Sequence, residues 1–110
     1  MTITPLKEVS DTVVVEIAIA GDFKAAVQAC REFCEQGLCV TVTPTTYVYT
    51  GGAEEGVLVR LINYPRFPVG KRQLEDTARR IANHLRERLF QDSYSIIAQD
   101  YTHWHSRRNA

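Results

Sequence analysis

Large apolar residues recur at alternate positions near the start of the chain. After a polar lead-in over residues 1–11, apolar side chains recur at every second position from residue 12 to residue 20, which predicts a strand with one buried face. The opposite face of this strand mixes apolar and charged residues. The alternating apolar positions are Val13, Val15, Ile17 and Ile19.

The spacing of apolar residues then changes to three and four, which is typical of an amphipathic helix. Asp22 follows a glycine and can accept hydrogen bonds from the first free N–H groups of a helix. We predict that the helix runs to about Gln36 and that Gly37 ends it, because glycine readily adopts the left-handed conformation found at helix ends. The apolar stripe consists of Phe23, Ala26, Val27, Cys30, Phe33 and Cys34.

A period of two returns in the middle of the chain and predicts two further strands. The first covers residues 38–42 and 45–50. Pro44 interrupts it at a bulge or an edge, because proline cannot donate a hydrogen bond to a ladder. Residues 51–56, which begin with two glycines, are predicted to form a hairpin loop. The next strand ends before Pro65. Its inward face consists of Val57, Val59 and Leu61.

A second amphipathic helix is predicted over about residues 72–90, and a last strand begins near Ser93 and extends toward the aromatic end of the chain. The element order β-α-β-β-α-β predicts an α+β ferredoxin-like sandwich, in which a four-stranded antiparallel sheet carries two helices on one face. We expect residues 1–110 to form one domain, with residues 1–11 and 106–110 as flexible ends.

The uncovered face of such a sheet would be unusually apolar. Because a large apolar patch is rarely left in water, we expect self-association as a dimer or trimer, or contact with another macromolecule. The residues predicted on this face are Val14, Ala18, Leu58, Ile62 and Tyr64.

The composition fits one globular domain and makes some classes of binding partner less expected than others. The chain has 110 residues, 45% hydrophobic and 24% charged, and its 13 basic residues balance its 13 acidic ones. Residues 1–59 carry a net charge near −5 and residues 60–110 near +5, so an anion-binding surface is expected in the second half. A nucleic-acid binder is not expected. No apolar run is long enough to cross a bilayer, and we expect a cytoplasmic protein.

The three cysteines follow neither a zinc-binding nor a disulfide pattern. Their number is odd, and no pair has the C-x-x-C spacing. Cys30 and Cys34 are four residues apart on the apolar face of the first predicted helix, so we expect buried and unreactive thiols there. Cys39 begins the following strand, and we expect its thiol to be buried and unreactive as well.

A loop stiffened by Pro65 and Pro68 is the most unusual segment. It presents cationic and aromatic side chains near the start of the second helix, where free N–H groups favour a phosphate or carboxylate. The alternative interpretation is that the prolines only end a strand and begin a helix, with Phe67 in the core and the cations solvated. The candidate ligand-binding residues of this segment are Arg60, Asn63, Tyr64, Arg66, Phe67, Lys71 and Arg72.

Tyrosines flank the predicted hairpin, and two carboxylates lie in its loop. Tyr47, Tyr49 and Glu55 are predicted to line, with the cationic loop, a pocket for a planar anionic ligand. The alternative interpretation is that these tyrosines have only a structural role, because tyrosine is common in strands. Glu54 and Glu55 are adjacent, so in an extended chain they point to opposite sides and do not form a carboxylate pair.

His103 and His105 alternate on a strand and can approach one metal ion, but two ligands do not make a site. Asp100 or His84 would have to join them, and the alternative is an aromatic contact between subunits. No metal or other cofactor is predicted. The sequence contains no evident Ser-His-Asp or Cys-His arrangement and no glycine-rich phosphate loop, so we do not expect catalysis.

Several short segments match one group of known proteins in order along most of the chain. They are Ala25, Ala26, Cys30, residues 36–40, Tyr49, Gly51, Glu55, residues 57–60, residues 94–97 and Trp104. In these segments the chain resembles the trimeric ferredoxin-like proteins of the CutA and PII type, which implies a trimer of the predicted fold. Residues 63–68 have no counterpart in that group. Residues 47–68 also look like small phage-encoded proteins.

These features predict an oligomeric, non-enzymatic protein that binds an anionic small molecule, nucleotides included. The cleft is expected near the hairpin and residues 64–72. The alternative is a protein-interaction module, encoded by a phage, that binds and modulates a macromolecule through the open sheet face or the basic second helix. A membrane is not expected as a partner.

Overall fold

A computed structural model describes residues 3–35 and 37–108 of the chain. Five strands form one sheet in the order β2-β3-β1-β4-β5, and every pairing is antiparallel. Neither of the helices in the described part of the chain could span a membrane. The elements are β1 Val14–Ala20, α1 Phe23–Cys34, β2 Thr41–Tyr49, β3 Gly52–Ile62, α2 Lys71–Arg88, β4 Ser93–Ile97 and β5 Thr102–Ser106.

The core lies between the sheet and the two helices, with β1 at the centre of the sheet. Ile17 pairs with Val59 of β3 on one side and with Ile96 of β4 on the other. Because side chains alternate across a strand, these residues point to one face, which α1 and α2 cover. Burial of each such side chain contributes about 1.5–3 kcal/mol to the hydrophobic stabilisation. The fully buried large side chains are Val15, Ile17, Val57, Val59, Leu61, Ile81 and Leu85.

The start of α1 agrees with the sequence prediction. The Asp22 carboxylate accepts a hydrogen bond from the N–H of Ala25 at 2.9 Å. The helix ends at Cys34, and Gly37 follows with a φ of +91°. The predicted end at residue 36 lies outside the described residues.

Replacing Asp22 with alanine is expected to lower the free energy of unfolding by about 1 kcal/mol, because the first turn of α1 loses its side-chain acceptor. Urea unfolding followed by circular dichroism measures this loss. Asp22→Asn should recover most of it, since the asparagine oxygen can accept the same hydrogen bond. Equal losses in both variants would contradict a capping effect.

The hairpin between β2 and β3 is tighter than the sequence predicted. Tyr49 pairs with Gly52, so the turn contains only Thr50 and Gly51, and the latter has a φ of +87°. Residues 53–56, predicted as loop, belong to β3. Their composition is poor for a strand, but all four pair with β2, and Gly56 also pairs with β1, which overrides that local preference.

Pro44 does not divide β2 into two segments as predicted, but it lies on an edge strand of the described sheet, one of the two positions that the sequence favoured. It pairs with Val57 inside a continuous strand. In the described part of the chain β2 has a partner strand on one side only. A proline is tolerated there because an edge strand leaves every second N–H without a ladder partner.

The sheet has a fifth strand that the sequence analysis merged with the fourth. The N–H of Ala98 donates to the Tyr101 carbonyl at 2.8 Å, which turns the chain back so that Trp104 pairs with Ser95. The strand includes Ser106, which the sequence analysis assigned to a flexible end. The α+β class and the two helices are confirmed, and the prediction of a four-stranded sheet is wrong.

Candidate ligand-binding site on the open sheet face

The sheet face that the helices leave uncovered brings together side chains from four strands. Tyr47 of β2 pairs with Glu54 of β3, and Ala20 of β1 pairs with the nearby Gly56. Ser95 of β4 pairs with Ala18 on one side and with Trp104 of β5 on the other. Because paired residues share a face, and residues two apart on one strand do too, these side chains lie near one another on the open face in three successive rows.

A cavity of about 200 Å³ lies among these side chains. Small side chains form much of its lining, aromatic rings come from the two outer strands, and one carboxylate and one guanidinium add opposite charges. The lining residues are Ala18, Ile19, Ala20, Tyr47, Glu54, Gln91, Ser93, Tyr94, Ser95, Trp104 and Arg108. We call it the open-face cavity.

Tyr47 is held in place by a hydrogen bond and by a glycine. Its hydroxyl donates to the Val57 carbonyl at 2.8 Å, so the ring lies across β3. Gly56 lies beneath the ring, and a Cβ atom at that position would be 2.3 Å from the Tyr47 Cε2 atom. Burial raises the pKa of Tyr47, and the charge of Glu54 adds to this effect, so the phenol stays neutral.

The charged and aromatic groups of the open-face cavity remain accessible. Glu54 is exposed, and Trp104 exposes 59% of its surface. Arg108 is also exposed, and its Nε lies 3.7 Å from an Asp92 carboxylate oxygen. Such groups suit a ligand that has both a flat aromatic part and polar or charged parts.

The predicted hairpin residues are divided between the two sides of the sheet. Tyr47 lines the open-face cavity, whereas Tyr49 is 55% exposed near the tip of the hairpin. Glu55 points to the other side, where the Thr46 hydroxyl donates to its carboxylate at 3.5 Å. The carboxylate that accompanies Tyr47 is therefore that of Glu54, the neighbour of the predicted residue.

The cationic loop lies at the opposite end of the sheet from the hairpin. β3 contains 11 residues and separates the two regions by roughly 30 Å. A single chain therefore does not bring them together in one cleft. The predicted residues found at the far end of β3 or beyond it are Arg60, Asn63, Tyr64, Arg66, Phe67, Lys71 and Arg72.

Several residues of this loop have structural partners. The Asn63 amide nitrogen donates to the Asp11 carbonyl at 2.9 Å, and its amide oxygen accepts from the Val69 N–H at 2.8 Å. Lys71 forms an ion pair with Asp100. Phe67 is 71% exposed and does not fill the core, so that part of the structural alternative is wrong. The Arg66 guanidinium lies 5.4 Å from its ring centre.

The two histidines of β5 lie on the helix side of the sheet and contact aromatic rings. His105 stacks on Tyr94 with 5.0 Å between ring centres, and the His103 ring centre is 4.2 Å from that of Tyr101. His84 is 3.1 Å from a Glu32 carboxylate oxygen. Across residues 3–35 and 37–108, no three His, Cys, Asp or Glu side chains are grouped to hold a metal ion.

Stability is expected to fall in mild acid because of His105. Burial first, and then the charges of Arg79, His103 and Arg86, lower its pKa below the ordinary 6.5. The unfolded chain therefore binds a proton more readily than the folded one, and stability is lost as the pH falls below about 6.5. Urea unfolding at pH 7.5 and 5.0 measures this loss. His105→Gln should reduce the difference, and an unchanged difference would exclude His105 as the cause.

Sequence reasoning missed the part of the cavity that β4 and β5 contribute. Ser93, Ser95, Trp104 and Arg108 line it, and none was a candidate residue. A signal was present, because the two serines alternate with the buried Tyr94 and so had to lie on the open face. The position of Trp104 depended on a strand that the sequence did not separate from β4.

The described chain has the fold of two solved phage proteins. A structure described as a phage SAM lyase in the apo state superimposes with a TM-score of 0.73 and 15% sequence identity, covering 97% of this chain and 99% of that one. A phage SAM lyase in complex with S-methyl-5'-thioadenosine gives a TM-score of 0.68 and 14% identity, covering 96% and 97%. No protein-family model and no curated protein matches the chain.

These neighbours correct the functional expectation. Both are lyases, so the likeness conflicts with the prediction of a non-enzymatic ligand-binding or protein-interaction protein. The resemblance to CutA and PII proteins receives no support, whereas the resemblance to phage-encoded proteins does.

Proposed function

We propose that this chain is an enzyme that cleaves S-adenosylmethionine (SAM) and releases S-methyl-5'-thioadenosine, and that the open-face cavity holds the nucleoside part. The observation that carries the proposal is the likeness to phage SAM lyases over nearly the whole length of both chains. The chemical groups of the cavity support it independently.

The reaction follows from comparing the substrate with the product. S-methyl-5'-thioadenosine keeps the sulfur, the methyl group and the nucleoside, so the bond that breaks joins the sulfur to Cγ of the amino-acid chain. In the proposed step the substrate's own carboxylate oxygen attacks Cγ and closes a five-membered lactone. The electron pair of the broken bond returns to sulfur and neutralises its positive charge. The step consumes no water and needs no cofactor. The main contribution of the protein is to bind the substrate in the folded shape in which its carboxylate oxygen lies next to Cγ.

The residues of the open-face cavity match the parts of this substrate that remain in the product. Trp104 and Tyr47 offer aromatic surfaces for the adenine ring, and base stacking on such a surface is worth about 1–3 kcal/mol. The Glu54 carboxylate can accept hydrogen bonds from the ribose hydroxyls, as acidic residues do in nucleotide sites. The small side chains of Ala18, Ser93 and Ser95 leave room for the nucleoside against the sheet.

One chain supplies only part of a complete ligand site. The open-face cavity has a volume of about 200 Å³, below the range of about 300–1,000 Å³ that is usual for small-ligand sites. The same face carries the partly exposed apolar residues Val14, Leu58 and Ile62. A second copy packed on this face would cover those residues and enclose the ligand, so we include a dimer or trimer in the proposal. Light scattering across a dilution series measures the mass of the assembly.

The test of the proposed function is direct product analysis. Purified protein is incubated with SAM labelled in the methyl group, and the products are separated and identified by mass spectrometry. The label is expected in S-methyl-5'-thioadenosine, together with one equivalent of the lactone. Heat-inactivated protein serves as the control, because SAM decomposes slowly without an enzyme. Product formation no faster than in that control would refute the proposal.

A further inference from the structure

Three thiols surround one small cavity where α1 meets β2, away from the open-face cavity. The volume is about 270 Å³, and Arg31 is the one charged residue of an otherwise apolar and thiol lining. The lining residues are Val27, Cys30, Arg31, Cys34, Leu38, Cys39, Val40 and Val42. We call it the thiol cavity.

The chain reverses direction directly after Cys34. The Cys34 carbonyl accepts hydrogen bonds from the N–H of Gly37 at 3.0 Å and from the N–H of Leu38 at 3.4 Å. Gly37 has a φ of +91°, a conformation that glycine adopts without strain. This turn returns the chain so that Cys39 lines the same cavity as Cys34. The two thiols therefore lie at the two ends of one tight turn.

The three thiols differ in their access to solvent. Cys30 is only 4% exposed, and burial raises its pKa to about 11. Cys34 is half-buried, and Cys39 is exposed. The Cys39 sulfur also accepts a hydrogen bond from the Tyr64 hydroxyl at 3.4 Å. Because the thiolate is the reactive form and must be reached by its reagent, Cys39 is the residue that reacts first and Cys30 takes no part.

We propose that Cys34 and Cys39 form a reversible oxidation site, which closes an intrachain disulfide by exchange with a low-molecular-weight disulfide such as oxidised glutathione. The Cys39 thiolate attacks one sulfur of the oxidant, and one reduced glutathione leaves. The Cys34 thiolate then attacks the Cys39 sulfur, and the second reduced glutathione leaves. The protein loses two thiol hydrogens and two electrons, the oxidant gains both, and one disulfide bond replaces another.

The test uses the complete protein. After reduction and removal of the reductant, it is incubated with oxidised glutathione, denatured, alkylated and weighed by intact-mass spectrometry. We expect one alkylated thiol, the loss of two hydrogens, and no attached glutathione. Digestion should yield a disulfide between the peptides that contain Cys34 and Cys39. Dithiothreitol should restore three alkylated thiols.

Two variants separate the steps of the exchange. Cys30→Ser should form the same disulfide and is the matched control. Cys34→Ser should stop at a stable glutathione adduct on Cys39, because the second nucleophile is missing. A stable adduct on the unmodified sequence, a disulfide that includes Cys30, a covalent dimer, or three thiols that remain free would each overturn the proposal. These outcomes are independent of whether the chain cleaves SAM.

Discussion

Replacing Glu54 with alanine is expected to lower kcat/KM for SAM cleavage about 100-fold. Glu54 is the one carboxylate that lines the cavity beside Tyr47. In the proposed binding mode this carboxylate accepts hydrogen bonds from the ribose hydroxyls. Two charge-assisted hydrogen bonds are worth about 3 kcal/mol together, which corresponds to roughly this change in rate. Affinity for S-methyl-5'-thioadenosine should fall in parallel, since the product keeps the ribose. Steady-state kinetics and calorimetric titration measure the two effects.

The neighbouring residue provides the matched control for this experiment. Glu55 carries the same charge on the opposite side of the hairpin, where it contacts Thr46. Glu55→Ala should therefore leave both kcat/KM and product affinity nearly unchanged. If the two variants behaved alike, the effect of Glu54 would be one of overall charge. If only cleavage fell while product affinity stayed, Glu54 would contact the amino-acid part of the substrate instead of the ribose.

Replacing Gly56 with alanine is expected to cost about 2–3 kcal/mol of stability and to displace Tyr47 from the open-face cavity. The added Cβ would be 2.3 Å from the Tyr47 Cε2 atom and 2.7 Å from the carbonyl oxygen of Ile19. The second contact is with the backbone of β1, which cannot move without disturbing the centre of the sheet. Thermal and urea unfolding measure the stability. Loss of SAM cleavage should accompany it, because the ring that lines the site is pushed away.

A second glycine of the same strand provides the control. At Gly52 an added Cβ would be 3.0 Å from the Tyr49 ring, which is largely exposed and can swing aside. Gly52→Ala should therefore change stability by less than about 1 kcal/mol. Gly56→Ala should cost less stability when it is introduced into the Tyr47→Ala variant than when it is introduced into the unchanged chain. The reason is that the contact with the ring is gone in the Tyr47→Ala variant. A Gly56→Ala protein as stable as the unchanged chain would contradict this packing.

Local signals were sufficient for the elements that each carry their own pattern. The alternation of β1 and the cap at Asp22 are properties of neighbouring residues, and both appear in the structure where the sequence predicted them. The hairpin was harder, because residues 53–56 have little strand preference of their own. They are extended because β2 pairs with all four of them and β1 pairs with Gly56.

In the candidate site, too, some residues follow from local patterns and others depend on strand pairing. Tyr47 was predictable as a residue beside the hairpin, but the choice between Glu54 and Glu55 depended on the register of β2 against β3. A shift of one residue moves a side chain to the other face of a sheet, so a loop assigned to residues 53–56 left that choice undetermined. The contribution of Trp104 required the pairing of β5 with β4.

The sequence by itself determined the α+β class, the order of the first six elements and the buried face of β1, because these follow from periodicity and capping within short segments. Only the tertiary structure decided that residues 102–106 form a fifth strand and that Glu54 accompanies Tyr47. The physical reason is that strand pairing and register depend on hydrogen bonds between two strands, which the pattern of side chains within either strand alone does not encode.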